Sequence, residues 1–225
     1  MTDAGPDPGL ELEELKRAAA IEAAALVQDG MRVGLGTGST VRHLLPAIAA
    51  RGLRGVRCVA TSAATAEQAA ALGLAVEPFD TLDGLDLAID GADQVAPDFW
   101  LTKGGGGAHV REKVVAAAAE RFVVIVDATK VVASLTPPVP LELLAFGLPA
   151  TLAAAGPAAV RAGMPPSPDG NVIADHLGPV GPDPAILAAR LDAVAGVVGH
   201  GLFGPELVHD VLVARPEGVT WLERR

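Results

Sequence analysis

The apolar positions of this chain change period repeatedly, and each change marks an element. From Leu12 to Val27 they recur at helical spacing with Glu and Lys between them, and Asp29-Gly30 follows as a stop signal, so a first helix is expected there. Met31 to Leu35 is a short apolar run that enters Gly36-Thr37-Gly38-Ser39-Thr40, after which Val41 to Arg51 resumes the helical period. The same order of strand, turn and helix returns with Val56 to Ala60, Thr61-Ser62 and Ala63 to Leu72, and Leu74 to Pro78 supplies a further strand. Leu85 to Ile89, closed by Asp90, and Phe122 to Val126, closed by Asp127, are unbroken apolar runs of the kind that suit strands buried on both faces. This alternation predicts an α/β fold with a Rossmann-like parallel sheet flanked by helices. Polar residues gather where the strands end, the edge at which open α/β sheets bind ligands.

The rhythm breaks at Thr136 to Pro140, which is rich in proline. Leu141 to Leu152 opens a stretch expected to be helical as far as Arg161, followed by turn-forming residues through Gly170. These changes divide the chain into a main α/β domain, residues 1–135 and 204–225, and a smaller α+β unit, 136–203, expected to serve as a lid or in oligomerisation. Leu207 to Ala214 reads as a strand that returns to the main sheet, and Pro216-Glu217-Gly218 as a turn before Val219 to Leu222.

Half of the residues are apolar, enough for a sizeable core in a chain of 225. Charged residues interrupt every apolar run short of the ~20 residues that a membrane helix requires, so no membrane partner is expected. Met1 to Leu10 is acidic and rich in Pro and Gly, unlike a secretory leader, and reads as a loose tail on a cytoplasmic protein. Cys58, the single cysteine, lies in a strand-like run and is expected to be a buried structural thiol. The net charge of −10 argues against nucleic acid as a partner. It also means that an anionic ligand would need cations and backbone N–H groups concentrated at its site. Only four lysines, Lys16, Lys103, Lys113 and Lys130, stand against thirteen arginines, so a compact titratable cation is used sparingly.

Four segments could supply such a site. Gly34 to Ser39 lacks the third glycine of a dinucleotide fingerprint and the Gly-Lys-Ser/Thr ending of a nucleotide loop. It remains either a phosphate seat built from Thr37, Gly38, Ser39 and Thr40 at a helix start, or a tight turn with hydroxyl caps. Asp90-Gly91-Ala92-Asp93 sets two carboxylates at one strand end with small residues between them; either Asp could cap a turn, but the pair can also hold sugar hydroxyls or take a proton. Lys103 precedes four glycines, Gly104 to Gly107, a run costly in backbone entropy unless close approach or positive φ is needed. Glu112 falls about a turn into the helix expected after them. Lys130 follows Asp127-Ala128-Thr129 at another strand end, on the same edge of the sheet. Lys16, by pattern alone, is a surface residue of the first helix. The five histidines show no metal-ligand spacing, and neither a Gly-x-Ser-x-Gly elbow nor an activated cysteine is present.

In order and approximate spacing, Gly34 to Thr40, Thr61-Ser62 with Thr65, Asp90 to Asp93, Lys103 to Gly107 with Arg111-Glu112-Lys113, and Asp127 to Lys130 resemble the type A ribose-5-phosphate isomerases. Asp169-Gly170-Asn171 and Gly201-Leu202-Phe203 are weaker echoes. The resemblance implies interconversion of ribose 5-phosphate and ribulose 5-phosphate through an enediolate, with no metal or organic cofactor. It implies Glu112 as the proton-transferring base, Lys103 and the loop N–H groups of Gly104, Gly105 and Gly106 at the oxyanion, and Asp90 and Asp93 in hydroxyl binding and ring opening. It further implies Gly91, Ala92, Thr37 to Thr40, Lys130 and Lys16 as substrate-binding, and a homodimer or homotetramer. Gln94 stands where that family usually has Glu, Thr129 where it has Ser, and Pro168 within a segment that is otherwise polar. Two alternatives are a noncatalytic sugar-phosphate sensor and a deaminase or transferase of the same fold. The first would need a DNA-binding module, for which the N-terminal tail is too short and too acidic, and the joint presence of Asp90, Asp93, Lys103 and Glu112 weighs against the second.

Overall fold

The computed structural model describes residues 8–224. In chain order the first elements are α1 (Pro8–Ala24), β1 (Arg32–Leu35), α2 (Val41–Ala49), β2 (Arg57–Ala60), α3 (Ala63–Ala71), β3 (Ala75–Val76) and β4 (Leu87–Asp90). There follow β5 (Gln94–Val95), β6 (Leu101–Thr102), α4 (His109–Ala117), β7 (Phe122–Asp127), β8 (Val139–Leu143), α5 (Leu148–Ala155), β9 (Ala158–Val160) and β10 (Val172–His176). The chain closes with α6 (Pro184–Asp192), β11 (Val197–His200), β12 (Leu202–Phe203), β13 (Asp210–Arg215) and β14 (Gly218–Glu223).

Seven strands form the main sheet in the order β14-β13-β7-β4-β1-β2-β3, parallel except for the β13–β14 hairpin. Because successive side chains leave a strand on opposite faces, the continuous apolar runs feed two cores at once. Val123 and Ile125 of β7 join Val33, Leu35 and Ile89 in the layer that includes residues of α1 and α2, whereas Val124 and Val126 pack with Val115 and Ala116 of α4. A separate antiparallel sheet, β11-β8-β10-β9, packs Leu141, Leu143 and Ala174 with Leu187 and Leu191 of α6. A three-stranded ribbon, β12-β6-β5, carries Lys103 at the end of β6. Among the described residues no helix is long and apolar enough to cross a membrane.

The strand, turn, helix order is as expected, with element ends displaced by a few residues. Helix α1 starts at Pro8 and ends at Ala24; Met1 to Asp7 of the expected tail lie outside the described residues. Proline is well suited to a first helical turn, since its missing N–H would have had no intrahelical partner. The larger correction concerns the helix expected from Leu141 to Arg161. Its first residues belong to β8, its last to β9, and only Leu148 to Ala155 is helical. Pro140 holds Val139 extended, and Gly156, at φ +87° before Pro157, ends α5. Leu141, Leu143 and Leu144 fit either period, and the prolines decide it.

The ribbon is tied to the small sheet through backbone. Lys103 N–H donates to the Gly201 carbonyl at 2.8 Å, and Gly201 N–H to the Pro140 carbonyl at 2.7 Å. A Cβ on Gly201 would lie 2.1 Å from the Lys103 carbonyl oxygen, a backbone atom that has little room to move. Gly201→Ala is therefore expected to cost about 1–3 kcal/mol, the usual range for overpacking, read as a lowered urea midpoint; an unchanged midpoint would mean that this junction is loose.

Candidate active site

The site lies at the C-terminal edge of the parallel strands, and glycine makes its contacts possible. After β1 the chain turns at Gly36, whose N–H donates to the Ile89 carbonyl at 3.0 Å; a Cβ there would sit 1.9 Å from Asp90 Cγ. Asp90 thereby reaches under the turn and accepts the Thr37 N–H at 3.0 Å. Thr37 Oγ1 is 2.6 Å from Thr61 Oγ1, and Thr65 Oγ1 donates to the Gly36 carbonyl at 3.0 Å. Thr61 and Thr65 thus brace the turn, and Ser62 caps α3 by accepting the Thr65 N–H. Gly38 adopts φ +116°, and Thr40, at the start of α2, makes no side-chain cap hydrogen bond. The Arg42 and His43 N–H groups donate to the Gly38 and Thr40 carbonyls at 3.1 Å, and the positive end of α2 lies behind the turn formed by Thr37 to Thr40, an arrangement that favours an anion.

Lys103 is the centre of the site. It is only 3% exposed, and its ammonium donates to Asp90 Oδ2 at 2.8 Å and to the Gly91 carbonyl at 2.6 Å and lies 3.2 Å from Glu112 Oε2. Asp90 also accepts the Gly91 N–H at 2.7 Å, whereas Glu112, in the first turn of α4, has Lys103 as its ionic partner. Both carboxylates are buried, at 4% and 5% exposure. Burial pushes Glu112 up from 4.5 to about 7, opposed by the Lys103 ammonium and reinforced by the Asp90 carboxylate. Burial pushes Asp90 upward as well, against the ammonium and the two backbone N–H donors. Lys103 is held protonated by the two carboxylates despite its own burial. Two carboxyls that share one cation, one of them with fewer donors, make a proton acceptor poised near neutral pH.

The glycine loop closes over this cluster. Gly107 N–H donates to the Gly104 carbonyl at 3.0 Å, and Gly105 N–H to Asp93 Oδ2 at 2.8 Å. Thr37, Gly38, Ser39, Thr40, Gly91, Ala92, Asp93, Lys103, Gly104, Gly105, Gly106, Glu112 and Lys130 surround a cavity of about 140 Å³, with Asp90 buried behind Lys103. Lys16 is outside this lining. Its ammonium lies 2.8 Å from Glu13 Oε1, whose other oxygen is 2.9 Å from His43 Nε2 and 3.1 Å from the Arg42 guanidinium. Asp127 caps the turn before Lys130 by accepting from the Thr129 N–H and hydroxyl.

Two groups at the site carry no local sequence signal. Phe203, fully buried, lies with its ring centroid 5.4 Å from Lys103 Nζ and 5.1 Å from Lys113 Nζ, close enough for cation–π attraction. Arg161 donates from the small sheet region to the carbonyls of Gly104 and Gly105. Gly201-Leu202-Phe203 stands out in the sequence only by family likeness, and Arg161 not at all.

Fold and site together define an α/β acid–base enzyme whose cation, carboxylates and glycine turn meet at the edge of a parallel sheet. The family model for ribose 5-phosphate isomerase A (phosphoriboisomerase A) matches residues 57–218. A ribose-5-phosphate isomerase A of Nitrobacter hamburgensis is 43% identical over 234 residues, covering 96% of this chain and all of the relative. The solved ribose 5-phosphate isomerase A of Methanocaldococcus jannaschii superposes with a TM-score of 0.88 at 33% identity, covering 94% of this chain and 99% of the other. A D-ribose-5-phosphate isomerase solved in complex with phospho-erythronic acid gives 0.89 at 33% identity, covering 95% and 99%. The chain belongs to the ribose 5-phosphate isomerase A family.

The raised Glu112 carboxyl has a measurable consequence. In the unfolded chain it releases its proton near 4.5, in the folded protein near 7, so between these values the folded state holds more protons and stability falls as pH rises. Above about 7 the penalty is constant. Glu112→Gln removes this contribution while Asp90 keeps its own, so the variant should lose less stability than the parent between pH 4.5 and 7.5, by up to ~3 kcal/mol. Urea midpoints across that range would read the difference, and parallel losses in the two proteins would exclude an elevated Glu112 pKa.

Proposed function

We propose that this chain interconverts D-ribose 5-phosphate and D-ribulose 5-phosphate with Glu112 as the proton-transferring base. The observation that carries the reading is the Lys103 ammonium clasped between Asp90 and Glu112 beneath a glycine loop. With the open-chain aldose bound, the Glu112 carboxylate removes the C2 proton, and the C2–H electrons form the C1–C2 double bond as the carbonyl electrons move onto O1. Lys103 and the loop N–H groups stabilise that oxygen. Glu112 returns the proton to C1, the O2 proton passes to O1, and the C2 ketone results without net gain or loss of atoms or electrons.

Asp93 holds a sugar hydroxyl and assists ring opening in this reading, Asp90 would join it only by releasing Lys103 or a backbone donor, Gly91 and Ala92 admit the sugar chain, and Thr37 to Thr40 with Lys130 seat the phosphate. The place of Thr37 to Thr40 on the cavity lining at the start of α2 supports that last assignment. Lys16 would join the phosphate only by leaving Glu13. The relatives favour the isomerase over a noncatalytic sensor of the same fold.

Glu112→Gln should bind ribose 5-phosphate about as well as the parent but turn it over ~10²–10⁴-fold more slowly, because an amide cannot take the C2 proton. Protein treated with EDTA, assayed for ribulose 5-phosphate formation, tests this directly; near-normal turnover in the variant removes Glu112 from the role. Parent protein that binds the sugar phosphate without converting it would return the sensor to first place. Lys103→Ala should lower kcat by ~10²–10³-fold and raise KM, and unchanged values of both would remove Lys103 from the site.

Residues 136–203 are proposed as the lid or oligomerisation unit of a cytoplasmic homodimer or homotetramer. This region exposes Phe146 at 92%, with Leu177 and Ile186 also exposed. Phe146→Asp should shift the sedimentation of the assembly toward monomer. An unaltered profile would exclude Phe146 from any such contact.

A further inference from the structure

The turn from Gly104 to Gly107 has two glycines, Gly105 and Gly106, at its centre, closed by the Gly107 N–H to Gly104 carbonyl bond. The central peptide of such a turn can direct its carbonyl to either side, which is the difference between turn types I and II. Two central glycines remove the side-chain preference that normally selects one of them. The choice matters here: one orientation offers the Gly106 N–H to the cavity, the other the Gly105 carbonyl oxygen, which would repel an oxyanion.

The turn is held from outside. Arg161 Nη1 donates to the Gly104 carbonyl at 3.0 Å and to the Gly105 carbonyl at 3.1 Å. The same guanidinium is aimed by Asp175 on β10, through Nε to Oδ2 at 2.8 Å and Nη2 to Oδ1 at 2.5 Å, a bidentate pair that allows it little rotation. In a trans peptide the carbonyl and N–H point in opposite directions, so a Gly105 carbonyl fixed on Arg161 sends the Gly106 N–H away from it. Gly106 lines the cavity and its N–H has no hydrogen-bond partner among the described residues, whereas Gly105 N–H is already taken by Asp93.

We propose that Arg161 is a positioning residue that locks the Gly105–Gly106 peptide with its N–H toward the reacting oxygen, acting from the small sheet region without touching the sugar phosphate. This rests on the reading that the loop N–H groups meet the enediolate. It assigns the loop's orientation to a side chain more than fifty positions away in sequence.

The test compares the full-length parent with Arg161→Met and Arg161→Lys, using two probes by calorimetry together with turnover. Phospho-erythronic acid presents a carboxylate where the enediolate oxygens would lie, and inorganic phosphate reports the phosphate seat alone. Arg161→Met should weaken phospho-erythronic acid by ~10-fold or more and lower kcat by ~10–100-fold, with phosphate binding within ~2-fold and KM within ~3-fold, somewhat less than removal of an oxyanion donor outright. Arg161→Lys, which can still reach one carbonyl, should recover part of both losses. Parallel weakening of the two probes, or unchanged kcat and analogue affinity, would overturn the proposal and leave Arg161 as a strut between sheets. The contrast between probes is read without turnover. An inactive parent that still showed it would therefore count against the reaction assigned above and leave the positioning role standing.

Discussion

A lysine ammonium almost entirely removed from water is the constraint around which this structure is arranged. Burying one cation and two carboxylates is unfavourable unless every charge finds a partner, and such clusters are weak sources of stability even when satisfied. Lys103 meets the condition with Asp90, Glu112 and the Gly91 carbonyl, and Asp90 adds two backbone N–H donors of its own. The geometry leaves no space for side chains nearby. Gly36 and Gly201 are each a Cβ away from collision with Asp90 and with the Lys103 carbonyl. The cluster is better understood as a device for holding a proton near neutral pH than as a source of folding energy. Glu112, the less well supplied of the two carboxyls, is the one that burial raises to about 7.

Charge balance then becomes a functional matter. Lys103 and Lys130 face Asp90, Asp93 and Glu112 at the site, so the side chains alone do not attract a phosphate, and the chain as a whole carries −10. Backbone must supply the difference. The start of α2, behind Thr37 to Thr40 on the cavity lining, and the N–H of Gly106, which has no partner among the described residues, are fixed partial charges of the required sign. The parallel sheet matters because it brings such termini to one edge: β1, β4 and β7 end together, and the residues after them line a single cavity.

What could be seen in the sequence was what the chemistry demands locally. The glycine run after Lys103, the paired aspartates after a buried strand and the glutamate one turn into a helix are short-range patterns, and the structure brings them within hydrogen-bond reach of one another. The parallel sheet followed from apolar runs that changed period at glycine turns. The helix expected through Leu141 to Arg161 failed because spacing over so few residues fits two periods, and Pro140 and Gly156-Pro157 outweighed it. Lys16 illustrates the converse: family likeness singled it out, while the structure holds it on Glu13. Arg161 and Phe203 were illegible for a physical reason, since each acts across 56 or more positions of sequence, where no periodicity operates.

The glycine loop explains why those distant residues are needed. Removing side chains lets backbone approach a ligand closely, but it also removes what would hold the backbone in one conformation. A loop of four glycines must borrow its rigidity from elsewhere. Asp93 takes one N–H, Arg161 takes two carbonyls, and His109 and Pro140 stand within 3 Å of where a Cβ on Gly104 would be. Three of these four supports lie outside the loop's own segment, and two come from the region that begins at Thr136. The small sheet is thus more than an appendage beside the site: it supplies part of the order that the glycines give up, and changes in its packing should reach Lys103 and Glu112 through these contacts.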